Sequence, residues 1–371
     1  MSKTFTIDGW ELEGGGQIFR ICVGLATILN LKIKFINIRG KRRKKYGLRP
    51  QTLAGLRLVQ EICNAEITGD TIGSQSVTFT PNKITSGEFF CDPLTAGSIS
   101  LLTQISIPVI LFGPSNFQLI LKGGTHVNYS PPIHDVKNVL LPILSRFGAK
   151  LDLEIEKYGF NPKGGGQVLL TSKPIERLYA IQMVQQGVIT KFTGISYSSG
   201  NVKAEVSEKL AILFTRRLKQ EFGIKIPISI KVVHLKKDQA IGNGCGICVY
   251  AHTSTDCILS TFGIGKKHVS SKDVVNEAAD RLFEDIKSGT CLDRHHQDQV
   301  ILFMALAQGV SKIKVNKITS HTETAIHFVR KLTGVNFPIE EIQGSFIISC
   351  EGLGFCNKFN LNTNINKKQN N

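Results

Sequence analysis

The 371-residue sequence has no long apolar run, and this excludes several classes of protein. No stretch reaches the roughly 18 apolar residues of a membrane span, so we expect no transmembrane helix. The N-terminus has neither a long apolar segment nor a small-residue cleavage site, so we expect no secretory signal. Nine cysteines are too few for a disulfide scaffold, which predicts reduced thiols in an intracellular protein.

The common nucleotide-binding motifs are also missing. The chain has no GxxxxGK(S/T) phosphate loop and no GxGxxG turn after a strand, so a nucleotide would have to bind by another arrangement. Cys245 and Cys248 form a single CxxC pair, whereas a zinc finger needs a second pair at a matching distance. We therefore predict two thiols spaced along a strand rather than a zinc site.

Apolar residues and positive charge are plentiful. Hydrophobic residues make up 42% of the chain, which is enough for a sizeable core. The length predicts two domains, or one large domain with an insert. The 45 basic and 29 acidic residues give a net charge of +16, which favours a polyanionic partner such as nucleic acid, nucleotide or anionic lipid. Charge alone also leaves open a basic protein without such a partner.

Helical and strand-like patterns alternate along the chain. Apolar residues recur at helical spacing over residues 18–30, 53–63 and 136–147. Short β-branched runs lie between these segments, and this alternation predicts an α+β or α/β fold. Glycine-rich turns recur beside strands or helices at residues 13–17, 122–125 and 163–167. Three similar turns suggest a repeated supersecondary unit.

The chain also divides into larger parts. Residues 184–284 carry their own strand and helix pattern, and we predict that they form a smaller inserted domain. Residues 1–183 and 285–356 would then form a discontinuous large domain. Residues 357–371 contain seven asparagines and few apolar residues. We predict a disordered tail there, because such a segment cannot bury enough surface to become ordered.

Two segments near the N-terminus could bind phosphate. Residues 13–17, EGGGQ, open a helix that carries Arg20 in its first turns. The glycines leave backbone amides accessible, and the helix dipole adds positive potential; an ordinary tight turn is the alternative. Residues 39–45 hold six cations in seven positions. A phosphate-gripping loop, a solvated loop and a nuclear-import signal are equally compatible with this run.

Two segments near the C-terminus could carry chemistry. Ser320 and Glu323 fit a capping box, which would place His321 in the first helical turn. The helix dipole disfavours an imidazolium there, so the imidazole would stay neutral and nucleophilic; a capping-region histidine bound to backbone is the alternative.

Asp298 begins another apolar helix and could orient a base or hold a metal. We expect no zinc beside it, since the adjacent His295 and His296 must point apart. A polar first turn that only caps a buried helix is equally compatible with this segment.

Taken together, these segments resemble the RNA 3′-terminal phosphate cyclase family over roughly residues 4–355. The resemblance rests on separated motifs in the family's order: EGGGQ at 13–17, IR at 38–39 with GLRPQ at 47–51, TAGS at 95–98, KGGT at 122–125, PKGGG at 162–166, GNG at 242–244, QDQ at 297–299 and HTETAIHF at 321–328. It implies an α+β fold with a large domain of repeated βαβαββ-like units and a smaller inserted α/β domain.

The resemblance implies an ATP-dependent reaction in three steps. A histidine attacks the α-phosphate of ATP, AMP passes to an RNA 3′-phosphate, and the 2′-hydroxyl closes a 2′,3′-cyclic phosphate. His321 matches the nucleophile. The family's polar active-site positions match Glu13, Arg20, Arg39, Gln51 and either Arg42 or Arg43. Its nucleotide-contacting positions match Gln104, Pro131, His295, Asp298 and Gln299. Glu13 would also face a divalent metal, Mg²⁺ or Mn²⁺.

The chain departs from the family's pattern at four positions. His295 stands where the family has an adenine-stacking tyrosine. Thr52, Tyr158 and His252 stand where it has a histidine, an arginine and an acidic residue. We expect these departures to affect affinity and substrate preference more than the reaction itself.

Two other functions compete with the cyclase. One is a non-catalytic relative that serves ribosome assembly; such relatives lack EGGGQ and the histidine, and this chain has both. The other is a general basic RNA-binding protein. The resemblance also implies an RNA with a 3′-phosphate end as partner. Together with the basic run it implies a nuclear location, with the cytoplasm also open.

Overall fold

The computed structural model describes residues 4–42 and 46–359. Three βαβαββ units follow one another along the chain. The first consists of β1 (Thr4–Asp8), α1 (Gly16–Leu29), β2 (Lys32–Ile36), α2 (Pro50–Cys63), β3 (Glu66–Thr68) and β4 (Val77–Thr80). The second consists of β5 (Gly87–Cys91), α3 (Ile99–Leu111), β6 (Phe117–Gly123), α4 (Ile133–Asp135) with α5 (Leu141–Arg146), β7 (Lys150–Gly159) and β8 (Gly166–Lys173). The third consists of β9 (Gln182–Met183), α8 (Gln297–Leu306), β15 (Val310–Val315), α9 (Ser320–Thr333), β16 (Ile339–Ile342) and β17 (Ser345–Glu351).

All three units build their sheets in the same strand order. The first sheet runs β1-β2-β4-β3, the second β5-β6-β8-β7 and the third β9-β15-β17-β16. In each sheet the first pair is parallel and the other two pairs are antiparallel. The predicted α+β fold with a repeated unit is therefore confirmed.

A fourth sheet interrupts the third unit between β9 and α8. Its strands are β10 (Ile189–Ser199), β11 (Ile228–Leu235), β13 (Gly244–Thr253) and β14 (Ile258–Ile264), in the order β11-β10-β13-β14. The helices α6 (Ala204–Phe222) and α7 (Ser271–Lys287) pack on this sheet around a separate apolar core. A short strand, β12 (Ala240–Ile241), pairs instead with β7 of the second unit. The predicted edge of the insert, between residues 284 and 285, falls inside α7, and the domain boundaries remain a prediction.

Helices from the first and third units meet in the main core. The helix α1 packs against α3 and α9, and α8 packs against α9. Phe19 on α1 and Phe328 on α9 are both almost completely buried. Apolar packing thus sets the mutual arrangement of three helices whose first turns carry polar motifs. No helix within residues 4–42 and 46–359 is both long and apolar enough to cross a membrane.

Two sequence predictions need correction. The helix predicted over 136–147 is not a single α-helix, because residues 136–140 form a π-helical turn between α4 and α5. Pro142 lacks the amide needed for a regular i to i−4 bond, which the wider turn accommodates.

The tail predicted from Asn357 begins too early. Asn357 is 1% exposed, and its Nδ2 donates to the carbonyls of Gly113 and Ile175 at 3.0 and 2.9 Å. Residues 360–371 of the predicted tail lie outside the described residues.

The N-cap of α9 also differs from the prediction. The predicted cap was Ser320, whereas the structure has Thr319, whose Oγ1 accepts from the amide of Thr322 at 3.1 Å. Thr319→Ala should lower the free energy of unfolding by about 1 kcal/mol, because that amide loses its acceptor. Ser320→Ala, the matched control, should change it by less than about 0.5 kcal/mol. Urea titration measures both, and equal losses would contradict this assignment. The prediction that His321 lies in the first helical turn is confirmed.

Candidate active site

The first turns of α1, α8 and α9 meet through the side chain of Gln17. Gln17 Nε2 donates to Asp298 Oδ2 at 2.7 Å and to the His321 carbonyl at 3.2 Å. Gln17 Oε1 lies 2.8 Å from His321 Nδ1. A single glutamine therefore connects the EGGGQ, QDQ and HTETAIHF motifs. Its side chain is buried, with 5% of its surface exposed.

This network sets the tautomer of His321. The amide nitrogen of Gln17 faces two acceptors, so its oxygen must be the atom that faces the imidazole. An amide oxygen only accepts, and so His321 Nδ1 carries the proton. Nε2 is then left with its lone pair, which is the requirement for a nucleophile or a proton acceptor.

The electrostatic surroundings keep His321 neutral near pH 7. Burial lowers the pKa of His321 below its ordinary value of 6.5; the Asp298 carboxylate opposes this, and Arg20 and Arg42 reinforce it. Burial also raises the pKa of Asp298 to about 6, although the positive charges of His321, His296 and Arg20 act in the other direction. Near pH 7 the pair therefore consists of a neutral imidazole beside a carboxylate.

Two arginines converge at the start of α1. A Cβ atom at Gly16 would lie 3.1 Å from Arg20 Nη1 and 3.4 Å from Arg39 Nη1. The glycine thus leaves room for both guanidinium groups next to the helix N-terminus. Arg20 Nε also donates to Gln104 Oε1 at 2.8 Å. Two guanidinium groups at a helix N-terminus provide a site for an anion such as a phosphate.

Glu13 lies at the edge of this cluster, beside Arg42. The two side chains form an ion pair, with 8% of the Glu13 side chain and 47% of the Arg42 side chain exposed. Glu13 Oε2 is buried and has no hydrogen-bond partner in the described part of the chain. A Cβ at Gly15 would clash with this carboxylate, at 2.3 Å from Oε1. Arg42 is therefore in position to act as the second arginine, and Arg43 lies outside the described residues.

Contacts with α9 hold the loop between β1 and α1 in place. The Glu13 amide donates to Thr324 Oγ1 at 3.3 Å. Upstream, the Glu11 carboxylate binds His327 and accepts from Lys331 Nζ at 2.9 Å. These contacts join the loop to the histidine-bearing helix, so the position of Glu13 relative to His321 depends on packing between the first and third units.

A narrow cavity opens beside the cluster. The predicted residues that line it are Arg20, Gln104, Asp298 and Gln299. Ile107, Pro108 and Leu302 supply apolar walls. Gln299 Nε2 donates to the His295 carbonyl at 2.6 Å, and its Oε1 is buried without a partner among the described residues. The cavity thus combines apolar walls with a few polar side chains, which suits a heterocyclic ring.

Seven predicted site residues do not line this cavity. Four of them, Glu13, Arg39, Arg42 and His321, belong to the cluster described above, and the other three have different contacts. Gln51 lies in the first turn of α2, and its Oε1 accepts from the Ser98 amide at 3.0 Å, which joins α2 to the TAGS motif. Pro131 lies in the loop between β6 and α4. His295 packs against the ring of Phe262 at a centroid distance of 4.9 Å. His296 binds Asp293 at 2.8 Å, so the two histidines point apart as predicted.

Gln17 is the residue that the sequence interpretation missed. It belongs to the EGGGQ motif, so a signal was present, but the motif was interpreted through its glycines and glutamate. Its partners lie 281 and 304 positions away in the chain. No local pattern indicates such a contact.

Comparisons with known proteins agree with this arrangement of motifs. A family model described as RNA 3′-terminal phosphate cyclase matches residues 11–339. The chain is 35% identical over 357 residues to the RNA 3′-terminal phosphate cyclase of Drosophila melanogaster, covering 96% of this chain and 98% of the relative. It is 36% identical over 363 residues to a probable RNA 3′-terminal phosphate cyclase of Dictyostelium discoideum, covering 95% and 83%. An RNA 3′-terminal phosphate cyclase of Pyrococcus furiosus is 36% identical over 336 residues, covering 90% and 94%.

Proposed function

Since the chain belongs to the RNA 3′-terminal phosphate cyclase family, we propose that it uses ATP to convert an RNA 3′-phosphate to a 2′,3′-cyclic phosphate through a histidine-AMP on His321. It would then be a ligase that forms a phosphoric ester bond. The observation that carries this proposal is the hydrogen bond from His321 Nδ1–H to Gln17 Oε1 at 2.8 Å, because it leaves Nε2 free to attack.

The proposed chemistry has three balanced steps. His321 Nε2 attacks the α-phosphorus of ATP, forming a P–N bond as the bond to pyrophosphate breaks. An oxygen of the RNA 3′-phosphate then attacks the same phosphorus, and the P–N bond breaks. Finally the RNA 2′-hydroxyl attacks its own activated 3′-phosphate, releasing AMP and a proton. Asp298 supports the first step by binding Gln17 Nε2 at 2.7 Å and so fixing the amide that orients His321.

The cations around Gly16 suit the charges of both substrates. Arg20 and Arg39 approach the same point beside the N-terminus of α1. There they would bind the triphosphate or the RNA 3′-phosphate. The net charge of +16 would attract the RNA as a whole. Adenine would occupy the cavity beside Gln104 and Gln299, between the apolar walls of Ile107, Pro108 and Leu302.

A divalent cation, Mg²⁺ or Mn²⁺, fits beside Glu13. Its buried Oε2 lacks a hydrogen-bond partner in the described part of the chain, and a cation is a suitable partner for such a group. One carboxylate matches the preference of Mg²⁺ for one or two protein oxygens plus substrate phosphates. The cation would neutralise phosphate charge during attack. Glu13 would hold it, beside the Arg42 guanidinium that pairs with the same carboxylate.

A nuclear location is part of the proposal, with the cytoplasm as alternative. It rests on the family resemblance and on the basic run at residues 39–45, whose Arg39 also lies at the proposed phosphate site. Imaging of a tagged chain with this run intact or neutralised would separate import from substrate binding, since only an import signal changes the location.

The overall reaction can be tested with the whole chain. An RNA ending in a labelled 3′-phosphate should become resistant to phosphatase when the protein, ATP and Mg²⁺ are present, because the cyclic ester has no terminal phosphate to remove. The same RNA with a 3′-hydroxyl and a reaction without ATP are the controls. Salt-dependent RNA binding with no phosphatase resistance in either metal would contradict the enzyme and favour a binding protein.

A further inference from the structure

A second cluster of reactive side chains shares no residue with the proposed active site. Within residues 4–42 and 46–359, one group of three or more His, Cys, Asp or Glu side chains brings its ligand atoms together: His126, His134 and Cys248. Their donor atoms all lie within 4.8 Å of one another. All three residues are buried, with 2%, 7% and 0% of their surfaces exposed. Two imidazoles and a thiol are the donors that zinc and its neighbours in the transition series bind in proteins.

The geometry of the two imidazoles is close to that of a metal site. His126 Nε2 and His134 Nδ1 face each other at 2.9 Å. Two nitrogens on a tetrahedral zinc ion at the usual bond lengths lie about 3.3 Å apart, and a nitrogen and a sulfur about 3.6 Å apart. The nitrogens therefore need to separate by only a few tenths of an ångström. The Cys248 sulfur lies within 4.8 Å of both nitrogens, so it has to approach them by at most about 1.2 Å.

The outer nitrogens have the partners that a metal site requires. His126 Nδ1 lies 2.9 Å from Thr125 Oγ1, and His134 Nε2 lies 3.2 Å from the Tyr158 hydroxyl. Each hydroxyl oxygen can accept an N–H from its imidazole, which turns both inner nitrogens into bare lone pairs. Such hydrogen bonds to the second nitrogen accompany almost all metal-bound histidines, because they fix the tautomer and the ring orientation.

We propose that His126, His134 and Cys248 form a zinc site that connects the inserted sheet to the second βαβαββ unit. His126 lies between β6 and α4, His134 lies in α4, and Cys248 comes from β13 of the inserted sheet. Binding releases one proton, from the Cys248 thiol. In the metal-free protein one imidazole proton lies between the two rings, and it moves to an outer nitrogen when the ion binds. Three protein ligands leave the fourth position of the ion to water.

The site would have a structural consequence. His126 and His134 flank the loop that holds Pro131, which the sequence predicts to contact nucleotide. An ion held by both histidines fixes the two ends of this loop. Asp135 is buried next to it and accepts from Tyr250 and Ser260 at 3.3 and 3.2 Å. These two hydrogen bonds join α4 to β13 and β14 of the inserted sheet.

The alternative is a hydrogen-bonded chain of hydroxyl, imidazole, imidazole and hydroxyl that needs no metal. Such a chain satisfies the buried nitrogens by itself. The two interpretations differ in whether a metal ion is bound and in whether the Cys248 sulfur takes part. Cys245 lies on the same strand, three residues away and outside the cluster, and so Cys245→Ser is a matched control for Cys248→Ser.

Metal analysis of the purified, reduced full-length protein tests the proposal. The wild type and Cys245→Ser should hold about one zinc ion per chain, or take one up after chelation, and Cys248→Ser should hold almost none. Tyr158→Phe should bind the ion about 10- to 100-fold more weakly, since His134 loses its partner.

Cobalt titration of the wild type gives a readout that needs no variant to fold. A thiolate-to-cobalt charge-transfer band is expected at one equivalent.

Three results would overturn the proposal. They are a wild type that takes up no zinc or cobalt, a Cys248→Ser variant with unchanged zinc content, and copper in place of zinc in the purified protein. None of these measurements involves ATP or RNA. Their outcome is therefore independent of the proposed cyclase activity.

Discussion

Replacing His321 by alanine should abolish labelling of the protein by α-labelled ATP. Wild-type protein with Mg²⁺ should retain label that is lost in acid, because a phosphoramidate bond to imidazole is acid-labile. His321→Ala should reduce the rate of labelling at least about 10⁴-fold, since Nε2 is the proposed nucleophile and no second histidine binds Gln17 in the described residues. Denaturing gels of the labelled protein measure this directly.

The control for this experiment is His234→Ala. His234 lies on β11 of the inserted sheet, where its Nδ1 meets Ser198 Oγ at 3.0 Å. The same side chain is removed far from Gln17, so labelling should match that of the wild type. Label that survives in His321→Ala would place the nucleophile elsewhere. A folded wild type that carries no label with either Mg²⁺ or Mn²⁺ would contradict the covalent mechanism altogether.

Gln17→Met should lower the rate of labelling roughly 100-fold without preventing folding. Methionine has a similar length and suits a side chain with only 5% of its surface exposed. It cannot accept from His321 Nδ1 or donate to Asp298, so the imidazole loses both its orientation and its preferred tautomer. Single-turnover labelling of the variant, with urea unfolding as a check on stability, measures the effect.

A second substitution separates orientation from general damage at this position. Gln17→Glu keeps an oxygen acceptor for His321 Nδ1–H but adds negative charge. It should recover part of the activity that Gln17→Met loses. The added charge favours the imidazolium and raises the pKa of His321, so the acid limb of the pH–rate profile should move to higher pH. Gln60→Met makes the same chemical change on α2, outside the site, and should leave labelling unchanged. Equal activity in Gln17→Met and the wild type would show that Gln17 does not orient His321.

Much of the fold was predictable because its signals are local. Helical spacing over residues 18–30 and 53–63 corresponds to α1 and α2. The glycine-rich turns at 122–125 and 163–167 do adjoin β6 and β8, and the repeat that they suggested is present in the strand order of three sheets. Errors occurred where two local signals compete. At the start of α9 both Thr319 and Ser320 are suitable N-cap residues. Thr319 is the cap because it is the residue immediately before the helix.

The sequence by itself determined the family, the repeated α+β unit and the position of His321 at the start of a helix, because each can be identified from short motifs and from the spacing of apolar residues along the chain. Only the tertiary structure decided that Gln17 sets the tautomer of His321, that Arg42 binds Glu13, and that Cys248 lies beside two histidines. The physical reason is the same in each case. A hydrogen bond or ion pair acts over about 3 Å in space, and the partners here are separated by between 29 and 304 positions in the chain or lie in different structural units. Packing of helices and sheets between those positions brings them into contact.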